Sequence, residues 1–210
     1  MVKITIYIEG GVPNSEESFL DNSVVFRENF HQLFVQKLPQ NSFDLAIQSI
    51  GQISQAAKHL EKINAQNING VLLIDLDGPK SIKAERLRNN YSSEPSKVFF
   101  MIQEMEGWII SQPEKIEEYA RTNAFIFKRT EPVRNNSLIF GIHPEEIVKP
   151  GNRLDTIFRQ HFAQEKRHKT KPKNYVKSKD GPALIGLLDL DNLFEVFDEV
   201  QNLINHIQAI

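Results

Sequence analysis

Apolar positions along the chain follow two alternating periods. Lys3 to Ile8 sets Ile4, Ile6 and Ile8 at every second position, the spacing of a short strand, whereas Val71 to Ile74 and Val98 to Ile102 are unbroken apolar runs of the kind buried on both faces of a parallel sheet. Between the strands the spacing lengthens to that of helices. From Ser23 onward, Val24, Val25, Phe30, Leu33, Phe34 and Leu38 form one stripe that Pro39 ends, and Ala57, Leu60 and Ile63 form another within Ser54 to Gln66. Phe43 to Ile50 reads as a strand stopped by Gly51, Ile82 to Asn90 as a charged helix, and Met105 to Ala120 as a further helix. Gly10 and Gly11 permit a turn after the first strand, and Pro13 to Ser18 reads as a polar loop. The order β, α, β, α, β, α, β, α predicts an α/β domain over residues 1–122, with a mainly parallel four-stranded sheet and right-handed crossovers.

The pattern changes beyond Thr122, and residues 123–210 read as a C-terminal extension packed on the same core. Ala124 to Lys128 and Ser137 to Ile142 are short apolar stretches around the turn-rich Glu131 to Asn136, which predicts a hairpin. A helix is expected from Leu154 to Gln164, and a terminal one from Asn192 to Ile207 with Leu193, Phe194, Phe197, Val200 and Leu203 as its stripe and Asp191 as its N-cap. No internal repeat or low-complexity tract interrupts the chain.

Composition narrows the function classes. With 210 residues, 40% of them hydrophobic, the chain can bury one proper core, and its net charge of −2 argues against a protein coated in nucleic acid by bulk electrostatics. The absence of cysteine excludes disulfides, thiolate metal sites and cysteine nucleophiles. No stretch approaches the ~20 apolar residues of a membrane span and no signal-peptide pattern precedes the first strand, so a soluble cytoplasmic protein is expected. No glycine-rich phosphate loop ending in Lys and Ser or Thr is present, so any ATPase activity has to come from a partner.

Against that background, four acids stand at strand ends. Glu9 follows Ile4 to Ile8, Asp75 and Asp77 close Val71 to Ile74, and Glu106 follows Val98 to Ile102. Carboxylates gathered at the carboxyl edge of an open parallel sheet repel one another unless a metal ion or a proton neutralises them, and the edge is where such sheets bind ligands, which points to a divalent-metal site. On an ideal strand Asp75 and Asp77 share one side and Leu76 takes the other. Glu104 competes with Glu106 for the fourth position, the loser being a surface acid near a helix N-terminus. The duller alternative for the Asp pair is a solvated turn into Gly78 and Pro79. Trp108, the sole tryptophan, reads as a packing anchor.

These motifs support a family resemblance. Tyr7, Ile8, Glu9, Gly10, then Asp75, Leu76, Asp77, then Met105, Glu106, Gly107, Trp108 resemble the ordered strand-end motifs of TOPRIM domains, whose fold is Rossmann-like. The resemblance extends to small bacterial TOPRIM-like proteins of unknown function related to overcoming-lysogenisation-defect nucleases, and Tyr175, Lys177, Gly181, Pro182, Ala183, Leu184 look like their C-terminal signature. It implies hydrolysis of phosphodiester bonds with Mg²⁺ or Mn²⁺, with Glu9, Asp75, Asp77 and Glu106 as catalytic residues and metal ligands. It further implies nucleic acid as substrate and a role as effector of an ATPase-coupled anti-phage defence system; homo-oligomerisation is left open. The chain departs from many such nucleases after Gly10, where Gly11, Val12, Pro13 and Asn14 precede the acids Glu16 and Glu17, which leaves the number of metals open. Two other readings stand beside it. Leu73, Ile74, Asp75, Leu76, Asp77, Gly78 resembles the first motif of haloacid-dehalogenase-type phosphatases, with Asp189 and Asp191 as the nearest later acids, although Pro79 stands where that family usually has threonine. The second is a non-catalytic assembly module on the same fold.

Glu165 to Lys179 is rich in cations. Lys169, Lys171, Lys173, Lys177 and Lys179, with Tyr175 among them as a stacking platform, read as a flexible loop that tracks a nucleic-acid backbone, or else as a solvated linker. None of the six histidines has metal-ligand spacing around the acidic strands, and all read as surface or interface residues.

Overall fold

The computed structural model describes residues 1–10, 16–166 and 169–210, with side chains from residue 24 onward in the second stretch. The turn at Gly11, the start of the polar loop at Pro13, the side chains of Glu16 and Glu17, and the basic residues Arg167 and His168 lie outside the described residues.

Strands β1 (Val2–Glu9), β2 (Phe43–Gly51), β3 (Gly70–Asp75) and β4 (Val98–Met101) form one all-parallel sheet in the order β2-β1-β3-β4. Helices α1 (Glu16–Phe34), α2 (Ala56–Ala65) and α3 (Lys83–Asn90) make the crossovers, as the sequence order requires. Period-two alternation divides the sheet between two cores. Ile4, Ile6, Ile8, Val71, Leu73, Phe99 and Met101 face Phe26, Phe30, Leu33 and Phe34 of α1, while Tyr7, Leu72, Ile74, Val98 and Phe100 pack with Leu60 and Ile63 of α2. Asp75 shares the parity of Val71 and Leu73 and so points toward the first core.

The first core continues without a break into the C-terminal part. Helices α4 (Glu106–Ser111) and α5 (Pro113–Thr122) are followed by β5 (Ile126–Phe127), α6 (Pro150–His161), β6 (Phe162–Lys166), β7 (Lys169–Pro172), α7 (Lys177–Ile185), α8 (Leu190–Val196) and α9 (Asp198–Gln208). Trp108 is buried against Phe197, as expected of an anchor. Strands β5, β6 and β7 form a small antiparallel sheet.

Several boundaries differ from the sequence reading, each for a local reason. Helix α1 begins at Glu16, inside the segment read as a loop, and its buried stripe is Phe26, Phe30, Leu33 and Phe34, with Val24 and Val25 exposed. The expected Met105 to Ala120 helix breaks before Pro113, whose ring opens a new helix. Ser137 to Ile142 supplies no strand but turns back on Asn136, and β5 pairs instead with β6, where Phe125 and Phe127 pack on Phe162. The terminal helix is two helices, because Phe197 is extended (φ −118, ψ 112) to reach Trp108, and the N-cap is Asp189 rather than Asp191. His161 departs from the surface reading and is buried against Asn136.

Candidate active site at the carboxyl edge of the sheet

Strand order fixes where a ligand can sit. From β1 the chain turns toward β2 and from β3 toward β4, so the crevice outside the carboxyl ends of β1 and β3 is the topological switch point. Glu9 closes β1 and Asp75 closes β3. The backbone N–H of Asp75 donates to Glu9 Oε2 at 3.1 Å, which places the two acids side by side.

The ladder between β3 and β4 runs past the strands in a strained form. Leu76 N–H donates to Met101 O, Asp77 N–H to Gln103 O and Gln103 N–H to Gly78 O, while Asp77 (φ 54) and Gln103 (φ 63) both adopt the left-handed region. The left-handed backbone of these two residues carries the segment after β3 across to the segment after β4 at the edge of the site. The same geometry corrects one expectation: β3 ends at Asp75 and Asp77 is left-handed, so strand alternation does not govern the pair.

Glu106 and Glu104 divide their roles cleanly. Glu106 lies in the first turn of α4 and is fully buried at 0% exposure; its Oε1 accepts from the Tyr175 hydroxyl at 3.0 Å and its Oε2 from Lys177 Nζ at 3.1 Å. Glu104 accepts instead from Gly151 N–H at 3.1 Å in the first turn of α6, where the helix dipole favours negative charge. Asp75 Oδ1 accepts from Met105 N–H at 2.8 Å, and its Oδ2 lies 3.5 Å from Lys177 Nζ. One ammonium thus bridges Asp75 and Glu106. Among the described residues no three acidic or histidine side chains are close enough together to form a metal shell.

Electrostatics follows from this crowding. Burial pushes the Asp75 carboxyl up to about 8, Glu106 and Glu9 push the same way, and Lys177 opposes them. Burial also raises Glu9, with Asp77 adding to it, and raises Asp77, with Glu104 adding to it; Lys177 pulls both down, joined by Arg86 at Asp77. Burial works against the charge of Lys177, but Glu106 and Asp75 outweigh it and hold the ammonium above its ordinary value. The Tyr175 phenol is raised by burial and by Glu106, so it stays a donor.

The basic run is not one loop. Lys173 is buried, donating to Asp180 Oδ2 at 2.5 Å beneath the rings of Phe125 and Phe158, so it is closed to a phosphate backbone. Tyr175 is committed to Glu106 and Lys177 to the acidic crevice, while Lys169 and Lys171 on β7 and Lys179 on α7 remain exposed. Asp189 caps α8 and Asp191 pairs with Lys37, so the later acids of the phosphatase reading are engaged away from Asp75. Sequence reasoning missed the strained Gln103, the buried Asp180 and the membership of Tyr175 and Lys177 in the acidic site. The available signal was the spacing of Lys173, Tyr175 and Lys177 at every second position.

Fold and site together define a doubly wound α/β domain with the buried carboxylates Asp75 and Glu106, and Glu9 beside them, at its switch point. The chain belongs to DUF4276, a domain family of unknown function whose model matches residues 14–208. No curated protein and no solved structure matches it. Among the described residues no helix is long and apolar enough to cross a membrane.

Proposed function

We propose that this chain is a divalent-metal-dependent nuclease, in keeping with its resemblance to TOPRIM-type enzymes related to overcoming-lysogenisation-defect nucleases. The observation that carries the reading is the sharing of one cationic group, Lys177, by Asp75 and Glu106 at the switch point, with Glu9 held against the Asp75 backbone N–H beside them. The donor set is of the kind that suits Mg²⁺ or Mn²⁺, hard carboxylate oxygens, two of which already accept a cationic partner. Such an ion supplies Lewis-acid activation of water and neutralises charge on a phosphoryl group.

The chain's own groups divide the remaining work. Asp75 and Glu106 would hold the cation, each steadied through one oxygen by Met105 N–H or by the Tyr175 hydroxyl. Glu9, oriented by Asp75 N–H and raised by burial, would serve as the base that accepts a proton from the attacking water. Asp77 and Arg86 flank the crevice, and the exposed Lys169, Lys171 and Lys179 supply cations for a polyanionic substrate. The test is hydrolysis of single- and double-stranded DNA and of RNA, with Mg²⁺ or Mn²⁺ and with chelator, by the wild type, Glu9→Gln and Asp75→Ala. Metal-dependent cleavage lost in both variants supports the reading; no cleavage of any nucleic acid, or cleavage that survives both substitutions, removes it. The wider role as effector of an ATPase-coupled defence system rests on the resemblance alone.

A further inference from the structure

Building on the metal reading above, we infer that Lys177 is a displaceable internal counter-ion: its ammonium reserves the cation position between Asp75 and Glu106, and a divalent cation binds by driving it outward. Oxygen by oxygen, the contacts support this. Asp75 Oδ1 is held by Met105 N–H at 2.8 Å and Glu106 Oε1 by the Tyr175 hydroxyl at 3.0 Å. The other two oxygens, Oδ2 and Oε2, meet at Lys177 Nζ, at 3.5 and 3.1 Å. Removing the ammonium therefore leaves both carboxylates anchored, each with one oxygen directed at a shared position.

Mobility is the second requirement, and a neighbouring ion pair shows the contrast. Lys173 and Asp180 are 7% and 1% exposed, and moving that ammonium would leave two charges buried. The Lys177 side chain is 57% exposed although its acidic partner is 0% exposed. Its stem can swing into water at little packing cost. Its backbone is fixed meanwhile, because Asp180 Oδ2 accepts from Val176 N–H at 2.7 Å at the start of α7. The motion is confined to one side chain.

The test is Mn²⁺ binding, by calorimetry, to the wild type, Lys177→Met, Lys177→Arg and Asp75→Asn. Removing the competing ammonium is expected to tighten Mn²⁺ binding by about tenfold in Lys177→Met. Lys177→Arg, which keeps a cation, stays weak, and Asp75→Asn loses the ion. A second readout uses the wild type alone, so it does not depend on how a variant folds: amine acetylation followed by mass spectrometry labels Lys177 faster with Mn²⁺ than without, while Lys173 stays protected in both. Equal or weaker Mn²⁺ binding in Lys177→Met, or no change in Lys177 labelling, overturns the inference and leaves the metal reading standing. Absence of Mn²⁺ binding in every protein overturns both.

Discussion

Replacing Asp75 with asparagine is expected to stabilise the metal-free protein in mildly alkaline solution while removing the metal binding proposed for the site. The carboxyl ionises near 3.8 in the unfolded chain and near about 8 in the fold, because burial, Glu106 and Glu9 all disfavour its charge. Between those values the folded state binds the extra proton, so this contribution to stability is intact below 3.8 and drains away as pH rises through about 8. A displacement of that size corresponds to on the order of 5 kcal/mol at full strength, and relaxation of the crevice reduces the expected loss to about 2 kcal/mol. Glu9 and Asp77 are raised by the same physics and slope the same way, whereas Lys177 is held charged across the whole window. Asparagine keeps an oxygen for Met105 N–H and carries no charge at any pH. Urea unfolding in chelator, followed by the fluorescence of buried Trp108, should show the wild type losing about 2 kcal/mol from about pH 5 to about pH 8 and Asp75→Asn losing clearly less. Curves that fall in parallel, or an Asp75→Asn protein less stable than the wild type at the alkaline end, would refute the reasoning.

Two further substitutions probe the frame around the site. Asp180 accepts from Tyr119, Lys173 and Val176, so Asp180→Ala strands a buried ammonium; the expected cost is about 3–5 kcal/mol, a fall in melting temperature on the order of 10 °C, largely recovered when Lys173→Met is added. A drop of no more than a degree or two in a thermal melt, or no recovery in the double variant, contradicts that account. Glu199, from α9, is paired with Lys83 and accepts from Phe100 N–H at 3.2 Å on the edge strand β4, so Glu199→Ala should cost about 2 kcal/mol and speed amide exchange at Phe100. Unchanged exchange at Phe100 would show that the edge is closed by other means.

The four strands and the acids at their ends were legible because burial on both sheet faces demands unbroken apolar runs, and an acid at the end of such a run contrasts sharply with it. Val71 to Ile74 before Asp75, and Val98 to Ile102 before Glu106, are the clearest cases. Backbone handedness was legible only in part: the turn read at Asp77 into Gly78 and Pro79 suits a positive φ, whereas nothing in the residue type of Gln103 announces one, which the cross-links between Asp77, Gln103 and Gly78 accompany. Long-range pairing was equally hidden. Two apolar stretches near in sequence, Ala124 to Lys128 and Ser137 to Ile142, invited a hairpin, but the partner of β5 lies a helix away because the phenylalanines at 125, 127, 158 and 162 pack together. Short elements such as β5 have too little local signal to compete with tertiary packing.

The cationic run shows how one pattern can serve two purposes. Before α7 the side chains of Lys173 and Tyr175 turn inward while Asn174 and Val176 are exposed, and Lys177, the exposed first residue of α7, brings its ammonium to the same acids. Composition alone counts three basic or amphipathic residues there and suggests a solvated, polyanion-seeking loop. The inward partners differ along the row: Asp180 for Lys173, Glu106 for Tyr175, and both Asp75 and Glu106 for Lys177. The first contact is sealed and sets the chain's path, the second fixes an acid, and the third sits at the solvent boundary. A charge at that boundary can be exchanged for another at little cost, whereas a sealed one cannot. It follows that Lys173→Gln should disturb folding far more than Lys177→Gln, and that only Lys177→Gln should change how the crevice handles Mn²⁺. Thermal melts and Mn²⁺ titrations on the two variants would separate these effects, and a metal response altered equally by both would refute the division.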